Sequence, residues 1–235
     1  MKSDLWRNVV QAIENAIPEY DTVNEKISLG QAMKSRQYAA DQLDLRQSMI
    51  VLDAGIGPGT MSQTLLSRNS AIAIVGLDAS TKLLQAARER FKSTQNNQVS
   101  YVRAAFEAVP LRTGAVDRIV SAYAFRDARD REIAIEEFRR VLGPDGCFAI
   151  VDLGKPDNAV RRVFVTIYVQ YLMPFIARLS KSNRIQGNPW GMIVPTYRLL
   201  SPNANLTDAL KKRFSKVTVH ESLLGGVVVI LAEVA

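Results

Sequence analysis

One stretch of the sequence, residues 49–78, restricts what this chain can fold into more than any other. It begins with a short apolar run, 49–52, whose length and flanks favour a buried strand over a surface helix. A glycine-rich turn, a helix-like segment (60–68) and a second apolar run (71–77) follow in order. Strand, glycine turn, helix and strand in this order are typical of the nucleotide-binding half of a doubly wound α/β sheet.

Three alternating glycines and two acidic residues frame that turn and indicate what it binds. Glycine lets the chain turn sharply and lets its backbone approach a ligand, because no Cβ is in the way. The helix that follows points free backbone N–H groups at whatever lies over the turn. Asp78, at the carboxyl end of the second strand, is placed to accept hydrogen bonds from two ribose hydroxyls. We therefore expect a ribose-bearing ligand that contacts Asp53, Ala54, Gly55, Gly57, Gly59, Asp78 and Ala79.

The spacing of the glycines distinguishes between two ribose-bearing cofactors. The nicotinamide dinucleotide fingerprint, Gly-x-Gly-x-x-Gly/Ala, requires a small residue where this chain has Thr60 or Ser62. The pattern that is present, D-x-G-x-G-x-G over residues 53–59, resembles the first motif of class I S-adenosylmethionine-dependent methyltransferases. The resemblance implies S-adenosylmethionine as cofactor and S-adenosylhomocysteine as product, with Asp53 near the methionine end. A glycine-rich turn in an ordinary α/β domain is the alternative.

Composition limits the class of protein. At 235 residues and 26.0 kDa, the chain is long enough for one domain with a sizeable core. Only one cysteine, Cys147, and one histidine, His220, are present, so we expect neither an internal disulfide nor a metal site. The net charge of +7 would suit nucleic acid, but the basic residues look scattered, and we expect no nucleic-acid partner. Residues 1–8 lack the apolar core of a secretory signal, which predicts a cytoplasmic protein.

Strand-like and helix-like segments alternate along the chain and predict one domain, residues 1–235. The fold class is α/β: a doubly wound, mainly parallel seven-stranded sheet with helices on both faces and an antiparallel last strand. Two late strands are expected to form a hairpin through Gly225 and Gly226. We expect a helical N-terminal lid (1–47) followed by a cofactor-binding core (48–157), which contains a tight turn at 143–146. A substrate-side helix and loop (158–203) come next, with the loop over 183–202. The last part, 204–235, contains a helix (206–214) and the hairpin.

Residues 158–178 are unusually apolar. The run is marginal for a membrane span, and it contains Gln170 and Pro174. We interpret it as a long helix that is part core and part pocket wall. Its aromatic side chains, among them Tyr168 and Tyr171, would suit a lipophilic substrate, although core packing alone would explain the same stripe.

Several segments together resemble the ubiquinone/menaquinone biosynthesis C-methyltransferases, the UbiE-like family. Besides residues 53–59, they are Y-D-x-x-N (20–24), E-A-V-P (107–110), A-F-R-D (124–127), E-x-x-R-R-V-L-G-P-x-G (136–146) and D-L-G-K-P (152–156). The resemblance covers most of the chain. It implies a Rossmann-like class I methyltransferase fold and methyl transfer to a ring carbon of a polyprenyl hydroquinone. The candidate site then includes Ala105, Phe106 and Tyr123 on the cofactor, and Tyr20, Asn24, Arg126, Tyr168 and Tyr171 on the substrate.

Two positions depart from the family pattern. The family has an acid just before the residue that aligns with Phe106, whereas this chain has Ala105. The change removes one hydrogen bond to the adenine, worth roughly 1 kcal/mol. The family also has asparagine after the arginine, where this chain has Asp127. The first departure bears on cofactor affinity and the second on the identity of the substrate.

We hypothesise that Arg126 and Asp127 are the catalytic residues. A ring carbon becomes nucleophilic when the neighbouring phenol loses its proton. Arg126 would stabilise the phenolate, and Asp127 would take the proton directly or through water. The alternative role for Asp127 is to cap a helix.

Three other functions remain open at this point. They are a methyltransferase acting on oxygen or nitrogen of another small molecule, an RNA methyltransferase, and a cofactor-binding protein that has lost catalysis. The expected partner is a lipophilic quinol. Peripheral membrane contact follows from that substrate, and a homodimer is left open.

Overall fold

The computed structural model of the chain describes residues 3–92, 98–182, 185 and 187–234. At its centre is a seven-stranded sheet with the strand order β3-β2-β1-β4-β5-β7-β6. Only β7 runs against its neighbours, pairing antiparallel with both β5 and β6, so the predicted fold class is confirmed. The strands are β1 (Ile50–Ala54), β2 (Ala73–Asp78), β3 (Val99–Arg103), β4 (Val116–Ala122), β5 (Leu142–Leu153), β6 (Lys216–Ser222) and β7 (Val227–Glu233).

Helices cover both faces of this sheet. Successive residues of a strand point to opposite faces, and β1 shows this with Val51 on one side and Leu52 on the other. Because both faces are buried, the central strands are apolar on both sides. The helices are α1 (Ser3–Ala16), α2 (Tyr20–Ile27), α3 (Gln31–Gln42), α4 (Thr60–Arg68), α5 (Thr81–Phe91), α6 (Arg131–Val141), α7 (Ala159–Ile167), α8 (Met173–Ser180), α9 (Ile193–Arg198) and α10 (Asn203–Lys211).

Each face of the sheet has its own hydrophobic core in the described part of the chain. Helices α3 and α4 pack on one face of the sheet, and Leu65 of α4 is fully buried there. Helices α6 and α10 pack on the other face, where Phe138 of α6 contacts a cluster of aromatic rings around Phe148. The parallel order brings the carboxyl ends of β1, β2, β4 and β5 to one edge, where doubly wound sheets bind their ligands.

The structure corrects two local expectations. Within the helical N-terminal part, residues 20–24 belong to α2, of which Val23 and Ile27 bury one side. The turn at 143–146 lies inside β5: Leu142 pairs with Val116 and Cys147 with Arg118, so the intervening residues bulge out of the ladder. The expected loop 183–202 contains a short 3₁₀ helix (Pro189–Met192) and α9; residues 183, 184 and 186 lie outside the described part.

The apolar run 158–178 forms one long helical segment, interrupted by a single π-helical turn (Tyr168–Leu172) between α7 and α8. By length and composition, this segment, Ala159–Ser180, could cross a membrane. In the protein, 22% of its apolar window is buried. One of its sides packs on the domain through Val165, Val169, Met173 and Ala177. The opposite side is exposed, so the segment lies along the surface of the domain.

Candidate active site

The glycine turn after β1 has the backbone conformation that its sequence predicts. Gly55, Gly57 and Gly59 have φ angles of +82°, +54° and +89°, which other residues rarely adopt. A Cβ on Gly55 would collide with the Cβ of Ala124 and lie 3.1 Å from the ring of Phe106. A Cβ on Gly57 would meet only the carbonyl oxygen of Gly55, at 3.9 Å. Gly55 is therefore required by packing, whereas Gly57 leaves free space beside the turn.

Asp78 at the end of β2 faces that free space. Its Oδ2 accepts a hydrogen bond from the backbone N–H of Gly57 at 3.0 Å, and its Oδ1 accepts one from Ser80 at 2.9 Å. Burial raises the pKa of this carboxyl, although the two N–H donors oppose the change. Ser80 in turn caps α5 by accepting from the N–H of Leu83. Asp78 thus holds the glycine turn in place and presents its carboxylate to a cavity.

This cavity, the glycine-side pocket, measures about 670 Å³ including the part open to solvent and has most of the predicted cofactor residues in its wall. Asp53, Ala54 and Gly59 are not in the wall. Glu107 is an acid in the same wall, two residues after Ala105, the position at which this chain lacks the acid of the family pattern. The wall residues that the sequence predicted are Gly55, Gly57, Asp78, Ala79, Ala105, Phe106 and Tyr123.

Asp53 lies beneath the glycine turn. It is fully buried, and the hydroxyl of Ser62 donates to its Oδ2 at 2.6 Å. Its Oδ1 has no hydrogen-bond partner within the described residues. Burial raises the pKa of Asp53 to about 6, against the lowering effect of the Ser62 hydrogen bond and the Arg36 charge. We conclude that Asp53 supports the turn from below.

The amino-terminal helices close the glycine-side pocket from above. Helix α1 contributes Trp6, Val9, Val10 and Ile13 to its wall. Glu14 of α1 accepts from the Ser80 hydroxyl at 2.6 Å. Asp21 of α2 accepts from the Thr60 hydroxyl and pairs with Arg90, both at 2.5 Å. These polar contacts join α1 and α2 to the start of α4 and to α5.

Arg126 follows β4 in a short 3₁₀ turn (Phe125–Asp127) and is anchored to the end of β5. Its Nη1 donates to Oδ1 of Asp152 at 2.6 Å, and its backbone N–H donates to Oδ2 at 2.9 Å. Arg131 donates to the carbonyl of Arg126 at 3.1 Å. Burial lowers the pKa of Arg126, but the carboxylates of Asp127 and Asp152 raise it by more, so the group is charged.

Asp127 is buried without a hydrogen bond. Neither of its carboxylate oxygens has a hydrogen-bond partner among the residues that the structure describes, and Oδ1 is 3.7 Å from Nε of Arg126. Burial raises its pKa to about 6, although the Arg126 charge acts the other way. Asp130, not Asp127, caps α6 by accepting from Glu132 and Ile133. Asp127 is therefore a buried ionisable group that does not cap a helix.

A second cavity of about 720 Å³, the Arg126 pocket, lies between Arg126 and the amino-terminal helices. Tyr20 and Asn24, both predicted substrate residues, are in its wall, and Trp190 donates to the side chain of Asn24 at 3.0 Å. Asp127 and Tyr20 also line the glycine-side pocket, so both groups lie where the two cavities meet. The remaining wall is largely apolar, with Val9, Ala12, Ile13, Ala16, Ile27, Leu153, Met173, Met192 and Ile193.

Two predicted substrate residues are elsewhere. Tyr168 lines a separate apolar groove between the long helical segment and residues 223–227, and its hydroxyl donates to the carbonyl of Ile27 at 2.9 Å. Tyr171 points outward and is 67% exposed. Neither side chain lines the Arg126 pocket.

Arg36 on α3 was missed by the sequence analysis. It is buried, lines the Arg126 pocket, and also lines a third, smaller cavity at the glycine turn that is separate from the glycine-side pocket. Its guanidinium carbon lies 4.7 Å from the ring centroid of Tyr123, and its Nη1 donates to the carbonyl of Ala32. In the described part of the chain its Nε has no hydrogen-bond partner and no carboxylate lies within 4.0 Å. Its spacing from Ala32, Ala39 and Ala40 on the buried side of α3 is the signal that could have revealed it.

Tyr123 has a φ of +61°, which is uncommon for a residue with a side chain. Its hydroxyl shares a 2.9 Å hydrogen bond with Ser35, and its ring lines both pockets. Backbone strain of this kind persists where the surroundings require it, often at functional sites. The described residues contain no cluster of His, Cys, Asp or Glu side chains suited to a metal ion.

Sheet order, glycine turn and the acid at the end of β2 define the chain as a class I S-adenosylmethionine-dependent methyltransferase. The chain belongs to the ubiE/COQ5 methyltransferase family, whose model matches residues 2–230. The fold is also that of a SAM-dependent methyltransferase from Aquifex aeolicus. That crystal structure aligns with 85% of this chain and 89% of its own at a TM-score of 0.58 and 17% identity.

Curated relatives support the same family. The ubiquinone/menaquinone biosynthesis C-methyltransferase UbiE of Syntrophotalea carbinolica is 24% identical over 211 residues, which cover 90% of this chain and 87% of that protein. The 2-phytyl-1,4-naphtoquinone methyltransferase of Nostoc punctiforme is 32% identical over 165 residues, covering 69% and 72%. The cofactor is therefore S-adenosylmethionine. The open space at Gly57, next to the carboxylate of Asp78, suits a ligand that carries hydroxyl groups.

Proposed function

We propose that this enzyme methylates a ring carbon of a lipophilic quinol of the demethylmenaquinol or demethylubiquinol type. The observation that carries the proposal is Asp127, a buried carboxylate with neither oxygen hydrogen-bonded in the described structure, at the junction of the two pockets. A methyl acceptor bound in the Arg126 pocket would meet both Asp127 and Arg126. The names of the relatives support a quinone-type acceptor.

The glycine-side pocket would hold the cofactor, which supplies an activated methyl group when bound. Asp78 would bind the ribose, and Phe106 and Ala105 would lie beside the adenine, with Glu107 close by. Arg36 would bind the carboxylate of the methionine end, because it is a buried cation without a carboxylate within 4.0 Å in the described structure. Asp53 would keep the glycine turn in shape.

The Arg126 pocket would orient and activate the acceptor. Its apolar wall suits a quinol ring, and its few polar groups are near Arg126. Asp127 would take the proton from the ring hydroxyl onto a carboxylate oxygen, which leaves a phenolate. Arg126 would stabilise that negative charge, and the neighbouring ring carbon then becomes the nucleophile for the methyl group. Transfer of the hydrogen on that carbon, as a proton, to the ring oxygen restores the aromatic quinol, and Asp127 releases its proton to solvent. Asp152 and Arg131 would hold Arg126 in position.

The position of helices α1 and α2 also favours the exclusion of water while the acceptor is activated. Helices α1 and α2 lie over both pockets, and their ties to Ser80, Thr60 and Arg90 are polar contacts that can open. We propose that residues 1–47 act as the lid. Closing it removes water from the reacting groups, which strengthens the electrostatic effect of Arg126.

The test uses S-adenosylmethionine with a labelled methyl group and a set of reduced quinols that differ in the head group. Label recovered on a ring carbon supports the proposal, and Asp127→Asn is the matched inactive control. Label on a hydroxyl oxygen or on nitrogen would show a different methyltransferase. Label on RNA but on none of the quinols would reject the quinol assignment.

We also propose a cytoplasmic enzyme in peripheral contact with a membrane, since a polyprenyl quinol resides in lipid. The apolar groove beside α7 and α8 supports this location.

A further inference from the structure

The outer side of α7 and α8 carries an exposed apolar surface, the apolar stripe. Its members recur every three to four residues, the spacing of one face of a helix. Phe175 is 62% exposed and Leu179 is 71% exposed. Soluble domains rarely leave so many large apolar side chains in water along a single helix. The stripe consists of Val160, Val163, Phe164, Ile167, Tyr171, Leu172, Phe175 and Leu179.

The positive charge of the chain is concentrated around this stripe. Residues 158–207 contain no aspartate or glutamate and six basic residues, whereas the whole chain has a net charge of only +7. Arg161 and Arg178 are exposed near the two ends of the long helical segment, and Arg198 is exposed on α9. A strongly basic amphipathic surface is typical of proteins that bind anionic lipid headgroups.

An apolar groove, the side groove, opens beside the stripe. Phe164 and Tyr168 line it, together with the exposed residues Leu29 and Leu224. These two leucines have φ angles of +53° and +60°, so the backbone presents apolar side chains to solvent in a strained conformation. Met173 lines both the side groove and the Arg126 pocket, which places the two cavities back to back.

We propose that the apolar stripe lies in the plane of an anionic lipid surface, with the surrounding arginines on the headgroups and the side groove open to the acyl layer. The role of the groove rests on the proposed function, because the occupant it would receive is the polyprenyl tail of the acceptor. A membrane span does not fit, because Val165, Val169, Met173 and Ala177 bury the opposite side in the domain. A second copy of this chain does not fit either, because two such basic surfaces would repel each other.

The experiment is co-sedimentation of the full chain with vesicles of phosphatidylglycerol and phosphatidylcholine, compared with vesicles of phosphatidylcholine alone. We expect binding to the anionic vesicles only, weakened as salt is raised. Phe175→Glu combined with Leu179→Glu should lower the binding constant at least about tenfold, and so should Arg161→Glu combined with Arg178→Glu. Ile133→Glu, on α6 and 49% exposed, is the matched control and should bind as the unchanged chain does.

All four substituted side chains of the two double variants are exposed, so thermal unfolding should show each variant folded. Equal binding to both vesicle types, or unchanged binding of the stripe variants, would overturn the proposal. So would a dimer that the stripe variants convert to monomer without any vesicle binding by the unchanged chain. Failure of the proposed function has a different signature: vesicle binding persists while no quinol is methylated. On a short-tailed, water-soluble quinol, the stripe variants should keep full activity.

Discussion

Arg126 and Asp152 form a two-point contact between the turn after β4 and the end of β5. Nη1 of the arginine donates to one carboxylate oxygen at 2.6 Å, and the backbone N–H of the same residue donates to the other at 2.9 Å. Both side chains are almost completely buried. The guanidinium that we propose for phenolate stabilisation is therefore held rigidly before any acceptor binds, which is the condition for efficient electrostatic catalysis.

This contact decides how Arg126 should be tested. Arg126→Ala would leave two buried carboxylates, Asp127 and Asp152, without their positive neighbour, at a cost of about 3–5 kcal/mol in stability. Arg126→Lys keeps the charge but loses the planar fork. We expect it to lower the single-turnover rate about 100-fold while the Kd for S-adenosylhomocysteine stays within about threefold. Loss of cofactor binding in Arg126→Lys, measured by calorimetry, would contradict the role proposed for Arg126.

Asp127→Asn should remove the increase of the methyl-transfer rate with pH. The pKa of Asp127 is raised to about 6, so the carboxylate becomes able to accept a proton only as the pH rises through that value. The rate of methyl transfer should therefore increase with pH up to about 7 in the unchanged enzyme. The asparagine variant should lack this acid limb and react about 100- to 10,000-fold more slowly. An unchanged acid limb in the variant would assign the proton to another group.

The ionisation of Asp127 should also affect stability, but in the opposite direction: a rise in pH that increases the rate should lower the free energy of unfolding. Because the folded-state pKa of Asp127 lies above the ordinary value of 3.8, the folded protein binds this proton more tightly than the unfolded chain does. The contribution of Asp127 to the free energy of unfolding is thus greatest below about pH 4 and declines as the pH rises through 6. Asp53 adds the same trend. Chemical denaturation between pH 4 and 7 should give a flatter curve for Asp127→Asn.

Arg36→Gln should weaken binding of the cofactor carboxylate without weakening the fold. A charge-assisted hydrogen bond is worth about 1.5–3 kcal/mol, so the Kd for S-adenosylhomocysteine should rise about 10- to 150-fold. For an analogue of S-adenosylhomocysteine that lacks the carboxylate, the Kd should change by less than about threefold. The free energy of unfolding should change little, because the lower desolvation cost of glutamine offsets the lost hydrogen bond to Ala32 and the lost attraction to Asp53.

The matched control for charge is Arg88→Gln. Arg88 is exposed on α5, where its guanidinium carbon lies 5.1 Å from the ring centroid of Tyr101. Its replacement changes the net charge equally but should leave both ligands bound as before. If Arg36→Gln weakened the decarboxylated analogue as strongly as S-adenosylhomocysteine, Arg36 would not bind the carboxylate.

Alanine substitutions at Gly55 and Gly57 should have separate effects, the first on stability and the second on cofactor binding. Gly55→Ala should destabilise the protein by about 2–3 kcal/mol, because a Cβ there collides with Ala124 at a positive φ. Gly57→Ala has room for its methyl group and should cost only about 1–2 kcal/mol of backbone strain. It should nevertheless lower cofactor affinity more than that strain explains, because the methyl group occupies space beside Asp78.

Gly191→Ala is the control for these two glycines. No heavy atom lies within 4 Å of its Cβ position, and its φ is not positive. Thermal unfolding and cofactor titration should both match the unchanged chain. Equal destabilisation by Gly55→Ala and Gly191→Ala would show that the contact with Ala124 is relieved by a backbone shift.

Local patterns were enough to predict the sheet and the cofactor side of the site. The run from β1 to Asp78 is one continuous segment, and its turn, helix and acid are defined by neighbouring residues. The single antiparallel strand followed from the Gly225-Gly226 hairpin expected between the last two strands. Seven strands in the predicted class are confirmed.

The acceptor side depends on contacts between distant segments, which a sequence does not display. Asp152 is 26 residues from Arg126, and no local pattern pairs them. Asp127 and Asp130 are equally good candidates to cap α6, and only the structure shows that Asp130 does so. Counting charges by segment, however, would have revealed the basic region 158–207 that an overall impression of scattered arginines concealed.

The π-helical turn at Tyr168–Leu172 has a geometric consequence for the surface it interrupts. The buried residues Val165, Val169, Met173 and Ala177 are four apart, and in a regular α-helix each such step rotates about 40° beyond a full turn. The wider turn absorbs part of that rotation and keeps both faces in phase along the whole segment. Inserting two alanines after Gln170 would turn the second half by about 200° relative to the first. Half of the aromatic and leucine side chains would then face the domain, and adhesion to anionic vesicles should be lost although the sheet remains intact.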